Sequence, residues 1–580
     1  MASLISSLSL PSPSLHFPFP LPPKLPAYLV LATLLLLLLL LTRLSKPGSQ
    51  PPKSTPKPLP LPPSPPGALP LIGHAHLIPP SHSWLLFKSW TDRLGPVVHL
   101  SILGRSHVLL GSESVANTLL RERGSIYSDR EQLPAAAVLL SDGRNSLMAP
   151  YGELFRRTRR FLNHGVGRNA AEGAKRHERG QWAEGVKLLA GLRETMAPGG
   201  ERDYEGAFER YAVGVAKRAI YGGRLEDGEG GRREKEVILD VAHVLEKVAS
   251  PGAYAVDLIP ALRHLPEWLP GMAWKRYLKG VQRRDERFFE ECLAPVKQQI
   301  KREERAAREG TLGKEVKVVD SLAKEWLTDM EKWGMSYGEG LYVLGGMYEA
   351  ASGTTPAAMT SFVLAMTRWP EHFRNLQEEI DGVVGGERMP GFGDVEALPL
   401  VRATIKEVLR YYPVTAGGVP HKSTREDEIM GFRIPEGSLV HANQWAIHRD
   451  PELYPDPEAF DPGRWLRRDS PVYKEPLSKF PNVNGWSCFG FGRRICPGLN
   501  LAERSLYLLV MLVGWGCRIT RAKSGDGGEE VVPPEYDFVD GFNVGPKRFE
   551  FELRGRSEER DEMVRREWER IVREDPLLAG

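Results

Sequence analysis

The ten residues Phe489-Gly490-Phe491-Gly492-Arg493-Arg494-Ile495-Cys496-Pro497-Gly498 constrain this chain more than any other stretch. Glycines without a Cβ let a backbone come close to a flat ligand. Pro497-Gly498 opens an apolar run at helical spacing, Leu499, Leu506, Leu509, Val510 and Val513, so Cys496 stands just before a helix N-terminus. Helix-end N–H groups and the neighbouring Arg493 and Arg494 lower a thiol's pKa, which predicts a thiolate at Cys496. A thiolate is a strong axial donor to iron. The alternative for the cysteine taken alone is a buried structural thiol beside a tight turn. The remaining cysteines, Cys292, Cys488 and Cys517, are too few and too irregularly spaced for a disulfide framework, and no CxxC pair suggests zinc.

With 580 residues, 41% of them hydrophobic and 26% charged, the chain can bury a large core. Its 77 basic and 74 acidic residues leave a net charge of only +3, which gives no electrostatic ground for a nucleic-acid partner. No repeat or polar linker divides the sequence after residue 70, so one large domain is expected over residues 71–556. Ahead of it, a Pro-rich segment (1–24) precedes an apolar stretch (25–43) that includes an unbroken leucine run from Leu34 to Leu41. Eighteen uncharged residues between Lys24 and Arg43 span about 27 Å as a helix, enough for one membrane crossing. Thr42-Arg43-Leu44-Ser45-Lys46 follows where a signal peptide would carry small residues, so a retained anchor is expected. Arg43, Lys46, Lys53 and Lys57 outnumber Lys24, which places the bulk of the protein in the cytosol. Residues 44–70 read as a stiff Pro-rich linker, with 11 prolines among the residues from Pro47 to Pro70. Residues 557–580 read as a charged C-terminal helix or tail whose Val564, Trp568 and Ile571 share one face and dock on the body.

The rest predicts a mainly α, α+β fold. Ser336 and Glu339 have capping-box spacing and open an apolar helix running to Trp369, stopped by Pro370. A second helix covers Leu400 to Tyr412, with Val401, Ile405, Val408, Leu409 and Tyr412 on one face and Pro413 behind it. Strands are expected at Val97 to Ile102, His107 to Leu110, Gly431 to Ile434, Ser438 to Ala442 and Phe549 to Leu553.

These segments together resemble the cytochrome P450 superfamily of haem-thiolate monooxygenases. The signature F-x-x-G-x-R-x-C-x-G is matched by Phe489, Gly492, Arg494, Cys496 and Gly498. Glu407 and Arg410 resemble the E-x-x-R pair of that family, and Arg464, in Pro457-Glu458-Ala459-Phe460-Asp461-Pro462-Gly463-Arg464-Trp465, the arginine that completes a buried structural cluster. Phe155 to Arg159 looks like its W-x-x-x-R helix, with Phe155 in place of tryptophan and Arg159 kept for a haem propionate; His421 and Arg494 are the further propionate partners that the resemblance implies. Arg156, Arg157 and Arg160 form either a solvated face or a docking surface for an acidic electron donor.

The pattern (A/G)-G-x-(D/E)-T-(T/S) aligns best with Ala350-Ala351-Ser352-Gly353-Thr354-Thr355. Thr354 keeps the hydroxyl that hydrogen-bonds dioxygen and helps deliver protons, whereas Gly353 stands where the acid is usual, so relay needs water, Glu349 or another group. Pro356 should kink or open the helix there. The resemblance implies haem b (iron protoporphyrin IX) with Cys496 as axial iron ligand and Phe489 and Gly498 in its seat, O2, and NADPH electrons through a separate reductase, with cytochrome b5 as a further partner. Gly490-Phe491-Gly492 is no nucleotide fingerprint, so the electron donor is external.

Expected pocket segments are Leu133 to Leu140, Tyr204 to Leu269, Met347 to Thr354, Val414 to Val419 and Phe538 to Phe542; being mostly apolar, they imply a lipophilic small molecule. Trp369 to Ile380 and Gly431 to Trp465 resemble filamentous-fungal members of secondary metabolism, which implies a polyketide, terpenoid or alkaloid substrate at the endoplasmic reticulum membrane. The competing readings are a haem-thiolate isomerase or dehydratase, favoured by the missing acid and disfavoured by the retained Thr354, and a non-enzymatic haem-binding or electron-transfer protein.

Overall fold

A computed structural model describes residues 59–167, 175–195, 203–250, 252–311, 320–524, 528–575 and 577. The expected membrane anchor at 25–43, and the Pro-rich segments before and after it up to residue 58, lie outside the described residues. Among the described residues no helix is long and apolar enough to cross a membrane.

The longer helices, in chain order, are α1 (Ser83–Leu94), α2 (Glu153–Gly165), α3 (Glu178–Thr195), α4 (Tyr204–Tyr221), α5 (Glu229–Val248), α6 (Ala273–Glu309), α7 (Leu322–Thr328), α8 (Tyr337–Arg368), α9 (Pro370–Val384), α10 (Pro399–Tyr411), α11 (Leu499–Gly516) and α12 (Glu558–Glu574). Helix α8 starts at the expected capping box: the Ser336 hydroxyl accepts from the Glu339 N–H, and the Glu339 carboxylate accepts from the Ser336 N–H at 2.8 Å. It ends at Trp369 because Pro370 has no N–H to continue the ladder, and the fixed φ of Pro370 then starts α9.

Helix α8 crosses the interior. Its first half packs on α4, α6 and α7 through Leu341, Val343, Leu344 and Tyr348, and its second half joins α10 and α11 through Met359, Phe362 and Val363. The approach to α7 is close enough that a Cβ at Gly340 would lie 2.1 Å from the Trp326 ring. Helix α8 runs unbroken through Pro356, contrary to the expected opening. Around that site the hydroxyls of Ser352, Thr354 and Thr360 donate to the carbonyls of Tyr348, Ala350 and Pro356, one turn back, at 2.6, 3.0 and 2.9 Å.

The strands form small sheets at the edges of the helical body. The four-stranded one has the order β1-β2-β6-β3, where β1 is Val97–Ile102, β2 Arg105–Leu110, β3 His421–Lys422 and β6 Leu439–Ala442. Strand β2 pairs antiparallel with β1 (Val97 opposite Leu110) and parallel with β6 (His107 beside Leu439). The β4 (Asp427–Ile429) and β5 (Phe432–Ile434) strands form a hairpin, and β8 (Glu530–Val531), β7 (Cys517–Lys523) and β9 (Phe551–Gly555) a three-stranded sheet. Strand β7 leaves α11 without a loop. Its alternation, Cys517 and Ile519 in, Arg518 and Thr520 out, is the period-two signal that the strong helical pattern before it masks.

Helix α12 lies against the body with Val564 and Ile571 buried and Trp568 packed on the main core. Arg556 and Arg560 join its start to Asp381 of α9 at 2.5 and 2.9 Å, and Asp575, just past its end, pairs with Arg218 of α4 at 2.7 Å. The turn at Pro134–Leu140, expected to line a pocket, buries Ala135, Ala136, Leu139 and Leu140 against Val244, Leu245, Leu278 and Val281 of α5 and α6.

Candidate active site

The loop before α11 closes on itself: the Gly490 N–H donates to Ser487 C=O at 2.7 Å and the Cys496 N–H to Phe489 C=O at 2.8 Å. Gly490 and Gly492 have φ of +85° and +55°, and a Cβ on Gly492 would lie 2.1 Å from the Leu120 carbonyl oxygen, so no side chain fits there. Cys496 itself precedes the first turn of α11, and the Gly498 N–H is directed at its thiol. From α2, Arg159 reaches across and donates to the Ile495 carbonyl. Burial nevertheless pushes the Cys496 thiol up, outweighing the Gly498 N–H and the Arg159 charge that pull it down. The expected ready-made thiolate is thereby corrected: desolvation beats the helix end, and a metal ion is needed to deprotonate the sulfur outright.

Beside this loop four basic side chains converge. Arg494 donates to the carbonyls of Ser128 and Ala149 at 2.8 and 2.6 Å, and its guanidinium lies 3.8 Å from the centre of the Phe155 ring, at the position expected for tryptophan. Arg130, which sequence reasoning missed, donates to the carbonyls of Val419 and Pro420. His421, on β3, has Nδ1 2.7 Å from the Tyr127 carbonyl oxygen. Arg159 completes the group.

Burial lowers the pKa of all four, and mutual repulsion adds to it: Arg130 is pulled down to about 9, with Arg494 contributing, and Arg494 to about 10, with Arg159 opposing its charge and Asp129 supporting it. His421 is pulled down to about 3 by burial and then by Arg130, so its ring is neutral and Nδ1 carries the proton it gives to Tyr127. The Arg130 Nε is buried with no partner. Asp129 is the carboxylate that offsets these charges at Arg130 and Arg494, with Tyr151 adding to it at Arg494. A clustered, repelling set of cations with an orphaned donor fits a dianionic group, and two haem propionates supply the missing acceptors. Since a charge-assisted hydrogen bond contributes roughly 1.5–3 kcal/mol, an Arg130→Gln variant should lose haem to an excess of apomyoglobin about tenfold faster or more. An unchanged transfer rate would remove Arg130 from the propionate site.

The segment expected to activate oxygen is on α8. Between the buried stretches 341–345 and 358–367, Ala350 is exposed and Gly353, Thr354 and Thr355 are only half-buried. Thr354 Oγ1 donates to Ala350 C=O at 3.0 Å, which leaves its lone pairs free to accept. Glu349 is pushed up to about 8 by burial, with Asp285 and Glu246 adding to it.

Below the cysteine loop, Glu407 and Arg410 on α10 meet Arg464 in full burial. Glu407 Oε1 accepts from Arg410 Nη2 at 2.8 Å, Arg464 Nε at 3.1 Å and the Asp461 N–H at 2.8 Å, and Oε2 from Arg410 Nε at 2.9 Å and Trp465 Nε1 at 3.0 Å. The arginines spend their other donors on carbonyls of His448, Pro455, Asp456, Pro457 and Ala459. Burial alone would raise the Glu407 carboxyl, but Arg410 and Arg464 hold it below the usual carboxylate range. Of the remaining arginines on α2, Arg157 pairs with Glu339 in the first turn of α8 at 2.9 Å and Arg160 donates to Lys332 C=O, in the short helical turn Met330–Trp333 ahead of α8, at 2.8 Å; Arg156 stays exposed with Glu153.

Comparison with known proteins points the same way. The profile described as "Cytochrome P450" matches residues 62–513. Among curated relatives, "Cytochrome P450 monooxygenase virE" of Hypocrea virens is 31% identical over 510 residues, 88% of each chain. "Cytochrome P450 monooxygenase 58" of Postia placenta is 33% identical over 482 residues, covering 82% of this chain and 85% of that one. "Cytochrome P450 monooxygenase aneD" of Aspergillus aculeatus is 32% identical over 521 residues, 89% and 92% of the two chains. A solved zebra fish cytochrome P450, described as a structure with abiraterone, superposes with a TM-score of 0.61 at 20% identity over 82% of this chain and all of its own, which shows the fold. The cysteine loop, the helices that enclose it and the match across most of the sequence have one reading: the chain belongs to the cytochrome P450 family of haem- and O2-dependent monooxygenases, which take electrons from a reductase.

Proposed function

We propose that the protein is an endoplasmic-reticulum monooxygenase of secondary metabolism, anchored by residues 25–43, that oxidises a lipophilic polyketide, terpenoid or alkaloid intermediate with NADPH electrons. The observation that carries the site assignment is the juxtaposition of Cys496, held before α11 under the Gly498 N–H, with the buried cations Arg130, Arg159 and Arg494. Cys496 would hold the iron of haem b through its sulfur, with Phe489 and Gly498 shaping the seat and His421 beside the propionates. When bound, haem supplies reductive cleavage of dioxygen and transfer of one oxygen atom to the substrate.

The chain's own residues do the rest. The arginines bind and orient the propionate edge, and their charge is neutralised there instead of repelling. Thr354 Oγ1 holds a proton at the open face of α8, donating it to Ala350 until an acceptor in the site competes for it. Glu407, Arg410 and Arg464 fix the segment Pro455–Trp465 against α10 and touch no substrate. A reductase, with cytochrome b5 as a further donor, meets the face bearing the exposed Arg156 and Arg493.

The absent acid at Gly353 favours the isomerase or dehydratase reading, and one experiment separates the two. Membranes containing this chain and a reductase, supplied with NADPH, 18O2 and candidate pathway intermediates, should yield a product carrying one labelled oxygen atom by mass spectrometry. A product with no added oxygen, formed equally well without NADPH, would overturn the monooxygenase assignment.

A further inference from the structure

Gly353 leaves α8 without a carboxyl beside Thr354, yet the space in front of Gly353 is filled from elsewhere in the fold. A Cβ built on Gly353 would point at the Asn543 side chain, with Nδ2 3.5 Å away. Asn543 sits in the turn closed by the bridge between Phe538 and Pro546, and its neighbour Val544 donates from N–H to Val414 C=O at 2.7 Å, which holds the turn over the site. Asn543 Nδ2 in turn donates to Glu246 Oε1 at 2.5 Å, near the end of α5. The other oxygen, Oε2, lies 3.0 Å from where a Cβ on Gly541 would stand. The Asn543 amide oxygen is buried with no partner in the chain, so it remains free to accept from water or a donor in the site.

We propose that Glu246, oriented by Asn543, is the acid that supplies protons to Thr354 in place of the carboxyl missing at Gly353. The assignment rests on the haem seat at Cys496 and on Thr354 as proposed above. The electrostatics suit the role. Burial pushes the Glu246 carboxyl up to about 7, against the pull of its hydrogen bond from Asn543, and an acid that titrates near the working pH is both protonated and able to give its proton away.

The charged groups facing it are Glu349 on α8 and, beyond that, Asp285 on α6, which is itself raised to about 6 by burial and paired with Arg284 at 2.8 Å. The facing turn contributes the neutral Asn543. Deprotonated Glu246 or Asp285 holds the Glu349 proton more firmly, so Glu349 stays protonated when Glu246 gives its proton up.

The balance of the step is that of the family's reaction, RH + O2 + 2 H+ + 2 e− giving ROH + H2O, with the electrons from the reductase. The O–O bond breaks, the departing oxygen takes up both protons and leaves as water, and the other oxygen enters the substrate. Glu246 gives up a proton through ordered water to the Thr354 hydroxyl, which hands on its own, and the half-exposed Glu246 is reprotonated from solvent. When protons reach the wrong oxygen, the same two protons and two electrons leave as H2O2 and the substrate is untouched.

The test uses the full chain in reductase-containing membranes, as wild type, Glu246→Gln, Glu246→Asp and Glu349→Gln. The spectrum of each reduced protein with carbon monoxide is taken first, because loss of the sulfur-ligated band reports failure of the haem seat and not of the relay. With that band intact, Glu246→Gln should lower product formed per electron pair about tenfold, raise H2O2 to match and abolish the activity loss that the wild type shows as pH rises through about 7. Glu246→Asp should restore part of the coupling. A readout independent of turnover is the C–O stretch of the carbon monoxide complex, which should shift between pH 6 and pH 8, roughly one unit on either side of the Glu246 value, in the wild type and stay fixed in Glu246→Gln. Wild-type coupling and a wild-type pH shift in Glu246→Gln would overturn the proposal. So would their loss in Glu349→Gln alone, or a Glu246→Gln variant that merely needs more substrate for its spectral change.

Discussion

Replacing Cys496 with serine is expected to leave a folded protein that has lost the red-shifted absorption of sulfur-ligated porphyrin in the reduced, carbon monoxide-treated state, and whose product formation falls to background. The serine keeps the loop intact, because its geometry is set by the Cys496 N–H bond to Phe489 and by the positive φ of Gly490 and Gly492, none of which involves the sulfur. What is removed is the sulfur that stands just before α11, an atom able to become a soft anionic donor. The matching Cys488→Ser variant should keep the full spectrum. Cys488 lies eight positions earlier and is also a thiol under strong burial, pushed up to about 12 by that burial and by the nearby Cys496 and Glu113, against the pull of Lys406, but it precedes the glycine turn and does not stand at the start of α11. Retained sulfur-type absorption in Cys496→Ser would move the ligand elsewhere and sink the whole site assignment.

The second large effect is expected at Glu407. A Glu407→Ala variant strands two buried guanidinium groups and the Trp465 indole N–H, and breaking a buried ion pair from one side costs about 3–5 kcal/mol. Against a typical total stability of roughly 5–15 kcal/mol that is a severe loss. The expected outcome is a sharp drop in haem-loaded protein recovered from cells and a melting transition several degrees lower in whatever survives. Arg410→Lys should behave similarly. Lysine keeps the charge but not the paired Nε and Nη2 contacts, nor the bonds to His448, Pro457 and Ala459. A fully loaded, thermally unchanged Glu407→Ala protein would show that the segment from Pro455 to Trp465 is held by packing alone.

The parts of this fold that could be read from sequence are those whose chemistry is local. Ser336 and Glu339 mark a helix start because both halves of the capping box lie within one turn, and Pro370 marks its end by lacking a donor. The strands at 97–102 and 439–442 show in the sequence as short apolar runs rich in valine and leucine, buried in succession at Val97-Val98 and Leu439-Val440. Cys496 is legible because its glycines and arginines are adjacent in sequence. Arg130 was not, since nothing in Tyr127-Ser128-Asp129-Arg130 distinguishes it from a surface residue until the chain at Val419 and Pro420, some 290 positions on, accepts its hydrogen bonds. The same holds for Glu246 and Asn543, whose meeting at Gly353 joins three distant segments. The direction of the shift at Cys496 is not legible for a related reason: helix ends and neighbouring charges can be counted along the sequence, but the depth of burial, which decides the balance, is a property of the finished fold.

The parallel pairing of β2 with β6 has a consequence for biosynthesis. A strand at 105–110 finds its partner only at 439–442, and Tyr127 likewise waits for His421 and Asp427. Because closing so long a loop is slow and must precede the contacts that reward it, the amino-terminal sheet stays incomplete while the ribosome is still translating the helical middle. Cys496 emerges later still, so the haem has no finished berth until the chain has passed that position, and the waiting strand edge stays open to mispairing for that whole interval.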